Sequence, residues 1–226
     1  MRQSWEDLLF LHWPVHAEQL RPFVPRQLVI DEFDGFAWLT IVAFRLTVRM
    51  RFVPLPLAWL RFPELNVRTY VRRAEQEGIY FLSLDAPKLV PIHLARFWYR
   101  LPYRRATMEM YPSGGGFRFS SRRAGRPGVE FRARYRPTGP PCRSMPQLLE
   151  HWLTDRYCLF TLDGRGRVFR TQVAHEPWPL QPAEVHIGAD SMPGLDLVSD
   201  PCRGELSHFS KRIDALVWAP ERLQAP

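Results

Sequence analysis

A mainly β fold of the α+β class, with a few peripheral helices, is predicted by three features of the chain. Twenty-two prolines and 13 glycines cut its 226 residues into short segments, which suits strands and turns better than a helical bundle. Several segments alternate apolar and polar residues, most clearly Glu64-Leu65-Asn66-Val67-Arg68-Thr69-Tyr70-Val71. That period belongs to a strand with two different faces. The apolar share, 46% with 13% aromatic, is enough for a sizeable core and sets disorder aside.

The elements follow in order. Residues 1–26 read as irregular or partly helical: Ser4 and Asp7 have the spacing of a weak capping box, and Pro14 ends any helix there. His16 to Phe23 suit a short turn before Pro25. Residues 27–50 read as a hairpin, with Leu28-Val29-Ile30 as one strand and Asp34-Gly35 as the turn. Its second strand, Phe36 to Val48, is apolar on both faces through Phe44, the mark of a strand buried on two sides. The segment 51–63, rich in proline and large apolar residues, reads as a loop packed on the domain's own core. Strands are expected at 64–73, 78–85, 106–111, 116–122 and 128–136, with turns at Glu77-Gly78 and Ser113 to Gly116. Helices are expected at Ile92–Tyr99 and Pro146–Thr154, the second from Leu148, Leu149, Trp152 and Leu153 at helical spacing. Tyr157–Leu162, Val168–Ala174, Glu184–Ile187 and 206–218 complete the strands. With no repeat or linker, 1–226 reads as one domain.

Composition narrows the function classes. The net charge is +8, and all but two of the 31 basic residues are arginines, the exceptions being Lys88 and Lys211. The arginines are scattered among apolar residues rather than clustered, so nucleic acid is a disfavoured partner. A basic protein that binds nucleic acid or an acidic protein stays as the alternative reading. Cys142, Cys158 and Cys202 lie far apart with no CxxC pair, as expected of reduced thiols in a cytoplasmic protein. Leu8-Leu9-Phe10-Leu11 is too short for a secretory signal and follows Glu6 and Asp7. No apolar run approaches the roughly 20 residues a membrane helix needs.

The alternating strand carries the most information. Glu64, Asn66, Arg68 and Tyr70 share one face; Leu65, Val67, Thr69 and Val71 share the other. The polar face either meets solvent, the usual case in a two-layer sheet, or lines the inside of a barrel. Same-face neighbours lie about 7 Å apart, so Glu64 and Arg68 span roughly 13 Å. That is too far for an ion pair but suits gripping two ends of a small ligand.

Several segments together resemble a known family. They are His12-Trp13-Pro14-Val15, the stretch Asp31 to Phe44, Glu64 to Val71, Ser83-Leu84-Asp85-Ala86, Ala95-Arg96, Leu101-Pro102-Tyr103 with Ala106 and Met108, Arg156-Tyr157, and His175 to Leu180. The pattern resembles the YqjF-like family of uncharacterised bacterial proteins, in the acetoacetate decarboxylase-like superfamily. The resemblance covers about 4 to 218. It implies a cone-shaped antiparallel barrel or sandwich with a central polar pocket and a few peripheral helices, and it raises the expectation of a homo-oligomer.

Acetoacetate decarboxylases carry a pocket glutamate, a Gly-Arg-Glu stretch and a Gly-x-Pro-Lys-Lys motif whose first lysine forms a Schiff base, its pKa lowered by the second. By resemblance Glu64 is similar to the pocket glutamate and Ala95-Arg96 to the Gly-Arg pair. Pro102 matches the motif's proline, but Tyr103 stands at the Schiff-base position and Arg104 at the neighbouring cation. A phenol has no amine, and a guanidinium with a pKa above about 12 does not serve as one. Schiff-base decarboxylation is therefore set aside. The expected site is Glu64, Asn66, Arg68, Tyr70, Arg96, Tyr103 and Arg104, binding a small polar or anionic molecule through guanidinium forks. Glu64 and Tyr103 are the candidates for acid–base work if burial shifts them. Asn66 and Tyr70 suit buried hydrogen bonding equally well.

Other constellations carry little. His12 and His16 are separated by Pro14, and the seven histidines show no metal-ligand spacing, so no metal is expected. Gly164-Arg165-Gly166 lacks the third glycine of a dinucleotide loop and there is no GxSxG elbow; no cofactor is expected. His175 with Trp178, and Arg156-Tyr157, read first as structural and second as pocket rim.

Overall fold

In the computed structural model the described residues are 1–49, 59–87, 97–192, 194–198 and 206–224. Fourteen strands dominate them: β1 (Arg2–Val15), β2 (Val29–Ile30), β3 (Ala37–Arg49), β4 (Trp59–Arg73), β5 (Gln76–Ala86), β6 (Tyr103–Ser113), β7 (Gly116–Arg123), β8 (Glu130–Pro137), β9 (Cys142–Arg143), β10 (Cys158–Leu162), β11 (Val168–His175), β12 (Pro179–Asp190), β13 (Leu206–Val217) and β14 (Glu221–Arg222). Two short helices, α1 (Ala17–Leu20) and α2 (Leu149–Thr154), lie between them.

The strands follow the order β14-β11-β10-β5-β6-β7-β8-β12-β13-β1-β3-β4-β2. Further pairings of β5 with β4 and β11 with β13 turn part of this path into a circuit: β5-β4-β3-β1-β13-β11-β10 and back to β5. Most neighbours are antiparallel, but β5 runs parallel to β6 and to β10.

Three strands are shared by two cores, and this positions everything else. Leu9, Leu11 and Trp13 of β1, Leu39 and Ile41 of β3, and Leu65 and Val67 of β4 bury one face against Phe119, Phe131, Tyr135 and Phe209 of β7, β8 and β13. The alternate residues of the same strands, Leu8, Phe10, Val42, Phe44, Leu46 and Phe62, face the inside of the circuit. Strands covered on both faces need apolar residues at every position, which explains the unbroken burial of β3 from Ala37 to Phe44.

The structure corrects several sequence expectations. Residues 1–26 are not irregular, because Arg2–Val15 is a 14-residue central strand paired with both β3 and β13. The apparent capping box is a bulge. Asp7 has φ 56° where the β1–β3 register shifts, and its carboxylate accepts from Arg45 at 3.0 Å and from Lys211 at 2.5 Å. Pro14 is tolerated because pairing with β13 stops at His12, leaving that side free of a ladder. Val29–Ile30 pairs with β4, not with β3, so 27–50 is no hairpin. The turn before β5 falls at Ala74-Glu75, with Ala74 at φ 50°, three residues ahead of Glu77-Gly78. Of the loop expected at 51–63, residues 59–63 instead belong to β4, paired with β3, and the rest lies outside the described residues, as does most of the helix expected at 92–99; 97–99 are helical.

Candidate functional site

The circuit surrounds a partly open cavity of about 590 Å³, lined by side chains from all seven of its strands and from β6. The polar face of β4 points into it. Glu64 is 4% exposed, Asn66 5%, Arg68 8% and Tyr70 fully buried, so the solvent-facing reading of this strand does not hold. The neighbouring strands explain the orientation: Leu65 and Val67 are taken by the apolar core behind, and alternation sends Glu64, Asn66 and Arg68 forward.

Tyr103 reaches the same wall from the start of β6, which lies beside β5 in parallel register, Leu84 facing Tyr103. Its hydroxyl donates to Glu64 Oε2 at 2.6 Å, with both residues buried. Burial pushes the Glu64 carboxyl up to about 7, against hydrogen bonds from Tyr103 and Asn66 that favour the charged form. Burial, and then the adjacent Glu64, hold the Tyr103 phenol well above its ordinary range. Near pH 7 the Glu64 carboxyl is thus poised between its two forms while the phenol keeps its proton, beside an apolar space, which suits proton donation or acceptance by Glu64 toward a bound group.

Arg68 and Tyr70 converge on helix α2. The Leu153 carbonyl accepts from Arg68 Nη2 at 3.0 Å and from the Tyr70 hydroxyl at 2.8 Å. Arg156 Nε binds the Trp152 carbonyl at 2.7 Å, and Trp178 Nε1 binds the Thr154 carbonyl at 2.9 Å. The last turn's orphan carbonyls are thus satisfied by side chains from β4, from just after the helix and from beside β12. Tyr70 continues the network inward: its hydroxyl meets Thr40 Oγ1 at 2.8 Å, which meets His12 Nδ1 at 2.9 Å. Burial, followed by His208 and Arg68, holds His12 well below its usual pKa, so this imidazole stays neutral.

Two of these buried groups face the cavity with polar atoms left over. Asn66 Oδ1 and Arg68 Nε have no hydrogen-bond partner among the described residues, and no carboxylate there pairs with Arg68.

The sequence-predicted residues therefore separate. Glu64, Asn66, Arg68 and Tyr103 line the cavity. Tyr70 lies behind the wall, against Trp152 at 4.6 Å between ring centroids. Arg104 is exposed on the opposite face of β6, one residue on from Tyr103. Arg96 lies outside the described residues. Of the two lysines, Lys211 sits with Asp7 away from the cavity, and Lys88 lies outside the described residues.

Other wall residues had weaker signals in the sequence. Arg156 lines the cavity while paired with Asp31 at 2.9 Å and Glu77 at 2.8 Å, partners 125 and 79 residues away. Trp178 stacks on Trp5 and meets Phe10 edge-on. Both belong to segments quoted for the family resemblance; Trp5, misread with the rest of the first strand, had no signal. The Ser83-Leu84-Asp85-Ala86 segment serves a different purpose. Asp85 is fully buried, bound by Arg123 at 2.6 Å and Ser121 at 3.1 Å, and pins β5 to β7 across β6. Cys158, also in the wall, has its thiol pushed up to about 12 by burial, which makes it inert as a nucleophile. Among the described residues no group of three or more His, Cys, Asp or Glu is placed to hold a metal ion.

Comparison with known proteins now places the chain. Residues 2–214 match the family model DUF2071, uncharacterized conserved protein. The chain belongs to this family. It is 38% identical over 219 residues to the uncharacterized protein YqjF of Bacillus subtilis (strain 168), covering 96% of this chain and 90% of that one. Its fold is similar to an acetoacetate decarboxylase-like enzyme from Sphingomonas wittichii RW1, at TM-score 0.67 and 15% identity, over 100% of this chain and 93% of that one. It is also similar to the enduracididine biosynthesis enzyme MppR complexed with pyruvate, at TM-score 0.66 and 13% identity, over 99% and 90%. A third likeness is to acetoacetate decarboxylase from Legionella pneumophila, at TM-score 0.65 and 12% identity, over 99% and 87%. The fold is thus of the acetoacetate decarboxylase-like type, mostly β. No helix among the described residues is long and apolar enough to cross a membrane.

Proposed function

We propose that this chain binds a small molecule bearing a polar or anionic group in its central cavity, and that it does so without lysine Schiff-base chemistry. One observation carries the reading: a buried carboxyl–phenol pair, Glu64 and Tyr103 at 2.6 Å, in the wall of a space of about 590 Å³. That volume falls within the range of small-molecule sites, which combine apolar walls with a few convergent polar groups. By resemblance to the decarboxylases, Tyr103 stands where the reactive amine would be. Glu64, Asn66 and Tyr103 form the polar anchor, and Arg68 supplies positive charge.

The test uses 1-anilinonaphthalene-8-sulfonate, an apolar anion whose fluorescence rises in a dry site. One saturable site per chain is expected, lost when Val42→Trp fills the cavity while near-ultraviolet circular dichroism stays native. No saturable site, or one indifferent to V42W, overturns the reading. Borohydride trapping with acetoacetate and with pyruvate is expected to leave the chain unmodified; an adduct on Lys88 reverses the exclusion of Schiff-base chemistry.

A second reading, a basic protein that binds nucleic acid or an acidic partner, has one observation in its favour. Arg118 and Arg122 of β7 and Arg132, Arg134 and Arg136 of β8 are all exposed on one sheet face. Glu130 and Glu184, which pair with three of these arginines, offset much of that charge.

A further inference from the structure

The cavity has two chemically different ends, and the strand register shows where each lies. Along β3 and β4 the facing pairs run Thr40–Arg68, Val42–Asn66, Phe44–Glu64, Leu46–Phe62 and Val48–Leu60. The first three pairs carry every charged or amide group that these two strands contribute to the wall. The last two are apolar, and β1 extends that end with Trp5 opposite Leu46. The polar end abuts the C-terminus of α2, where Arg68 binds the Leu153 carbonyl.

Arg68 decides the sign of charge the polar end accepts. A guanidinium has five N–H donors and remains charged. Here it is 8% exposed, uses one donor on a carbonyl, and leaves Nε without a partner among the described residues. Burying a cation without a paired anion is costly, and a carboxylate accepting from the guanidinium edge relieves that cost. Beyond Asn66 and Glu64 the wall is mostly aliphatic and aromatic, with Gln3 beside Val48 and its amide oxygen taken by Trp5 Nε1, which favours an apolar body rather than a second charge.

We propose that the ligand is an amphipathic monocarboxylate: a carboxylate on Arg68, and an aliphatic or aromatic body running past Glu64 and Tyr103 toward Leu46, Val48, Leu60 and Phe62. This deepens the binding reading and rests on it. A space of about 590 Å³ holds on the order of 20 non-hydrogen atoms, at a water's share of about 30 Å³ each. Compact acids such as acetoacetate leave most of it unfilled.

Displacement of 1-anilinonaphthalene-8-sulfonate by butanoate, hexanoate, octanoate, decanoate and decanol tests the class. Affinity is expected to rise about threefold to fourfold per added methylene. Decanoate is expected to bind about tenfold to a hundredfold more tightly than decanol. Arg68→Gln removes that preference and leaves decanol unchanged; Arg68→Lys keeps part of it. Equal binding of decanol and decanoate by the unmodified chain overturns the carboxylate, whether or not R68Q folds. Equal binding of butanoate and decanoate overturns the apolar body. In both cases the reporter dye still binds and V42W still abolishes it, so the cavity reading survives. If neither the dye nor any of the series binds, that reading falls and this one with it.

Discussion

At the scale of single residues, Glu64 makes the sharpest claim, because its environment sets its proton. Buried beside an apolar space, its carboxyl is raised from 4.5 to about 7. Between those values the folded chain holds a proton that the unfolded chain has released. Stability from this group is therefore complete below about pH 4.5 and is lost as pH rises through 7. The amount is on the order of 3 kcal/mol. Asp190, also raised to about 7 by burial, works in the same direction. Glu64→Gln is thus expected to remove one share of the slope and to leave the other. Urea denaturation of both proteins at pH 5, 6, 7 and 8 measures it: E64Q gains on the unmodified chain as pH rises. A difference between the two that is constant across this range contradicts the raised carboxyl. Much of this site was legible in the sequence, since alternation alone puts Glu64, Asn66 and Arg68 on one face. What alternation does not say is whether that face meets water. The answer lies in Leu65 and Val67 packing against Phe119, Phe131 and Tyr135, partners far off in the chain.

At the scale of elements, the readings that failed did so where distant pairing overrode a local pattern. Ser4 and Asp7 have the spacing of a helix start, yet β3 and β13 capture the segment as a central strand. Asp7 becomes a bulge held by Arg45 and Lys211, 38 and 204 residues away. The strand β3 was legible because a short run apolar on both faces fits a strand covered on two sides and little else. The turn between β6 and β7 was legible for the same kind of reason: only glycine meets its demands cheaply. Two of its three glycines, Gly115 and Gly116, make different demands. At Gly115, with φ +77°, an added Cβ meets nothing, so Gly115→Ala incurs only backbone strain, about 1–2 kcal/mol. At Gly116 a Cβ would lie 2.0 Å from the Tyr135 carbonyl oxygen and 2.8 Å from the Arg136 Cα. Relief there requires β7 and β8 to separate, and Gly116→Ala is expected to cost at least about 3 kcal/mol. Guanidinium melts of the two variants test this ordering, and equal midpoints for the two would refute it.

At the scale of the whole molecule, the question is whether a charge of +8 acts as a unit. The outer face of β6, β7, β8 and β12 is where it comes nearest to doing so. Arg118 and Arg134 face each other directly across β7 and β8, and Arg122, Arg132 and Arg136 share their side. Like charges in register cost stability, so this face is held by what lies among them. Glu109, Glu130 and Glu184 are on the same side. Glu130 is bridged by Arg132 at 3.1 Å and more loosely by Arg122 at 3.8 Å, and Glu184 by Arg136 at 2.6 Å. Arg105 of β6 is exposed on this side as well, so six arginines against three glutamates leave an excess of three. Binding to duplex DNA that uses three unpaired cations has a log–log salt slope of about −2.7, since each phosphate neutralised contributes about −0.9. Between 50 and 200 mM salt that weakens binding by about fortyfold. Fluorescence anisotropy with a labelled 20-base-pair duplex should therefore show no saturation at 150 mM salt. A slope steeper than about −5, or loss of tight binding in Arg118→Gln/Arg134→Gln, would instead make this face the working surface and the cavity secondary. The proposed function implies the opposite order: the Arg68 guanidinium is 8% exposed, has no paired carboxylate among the described residues and lines the cavity, where a small molecule fits and a polymer does not.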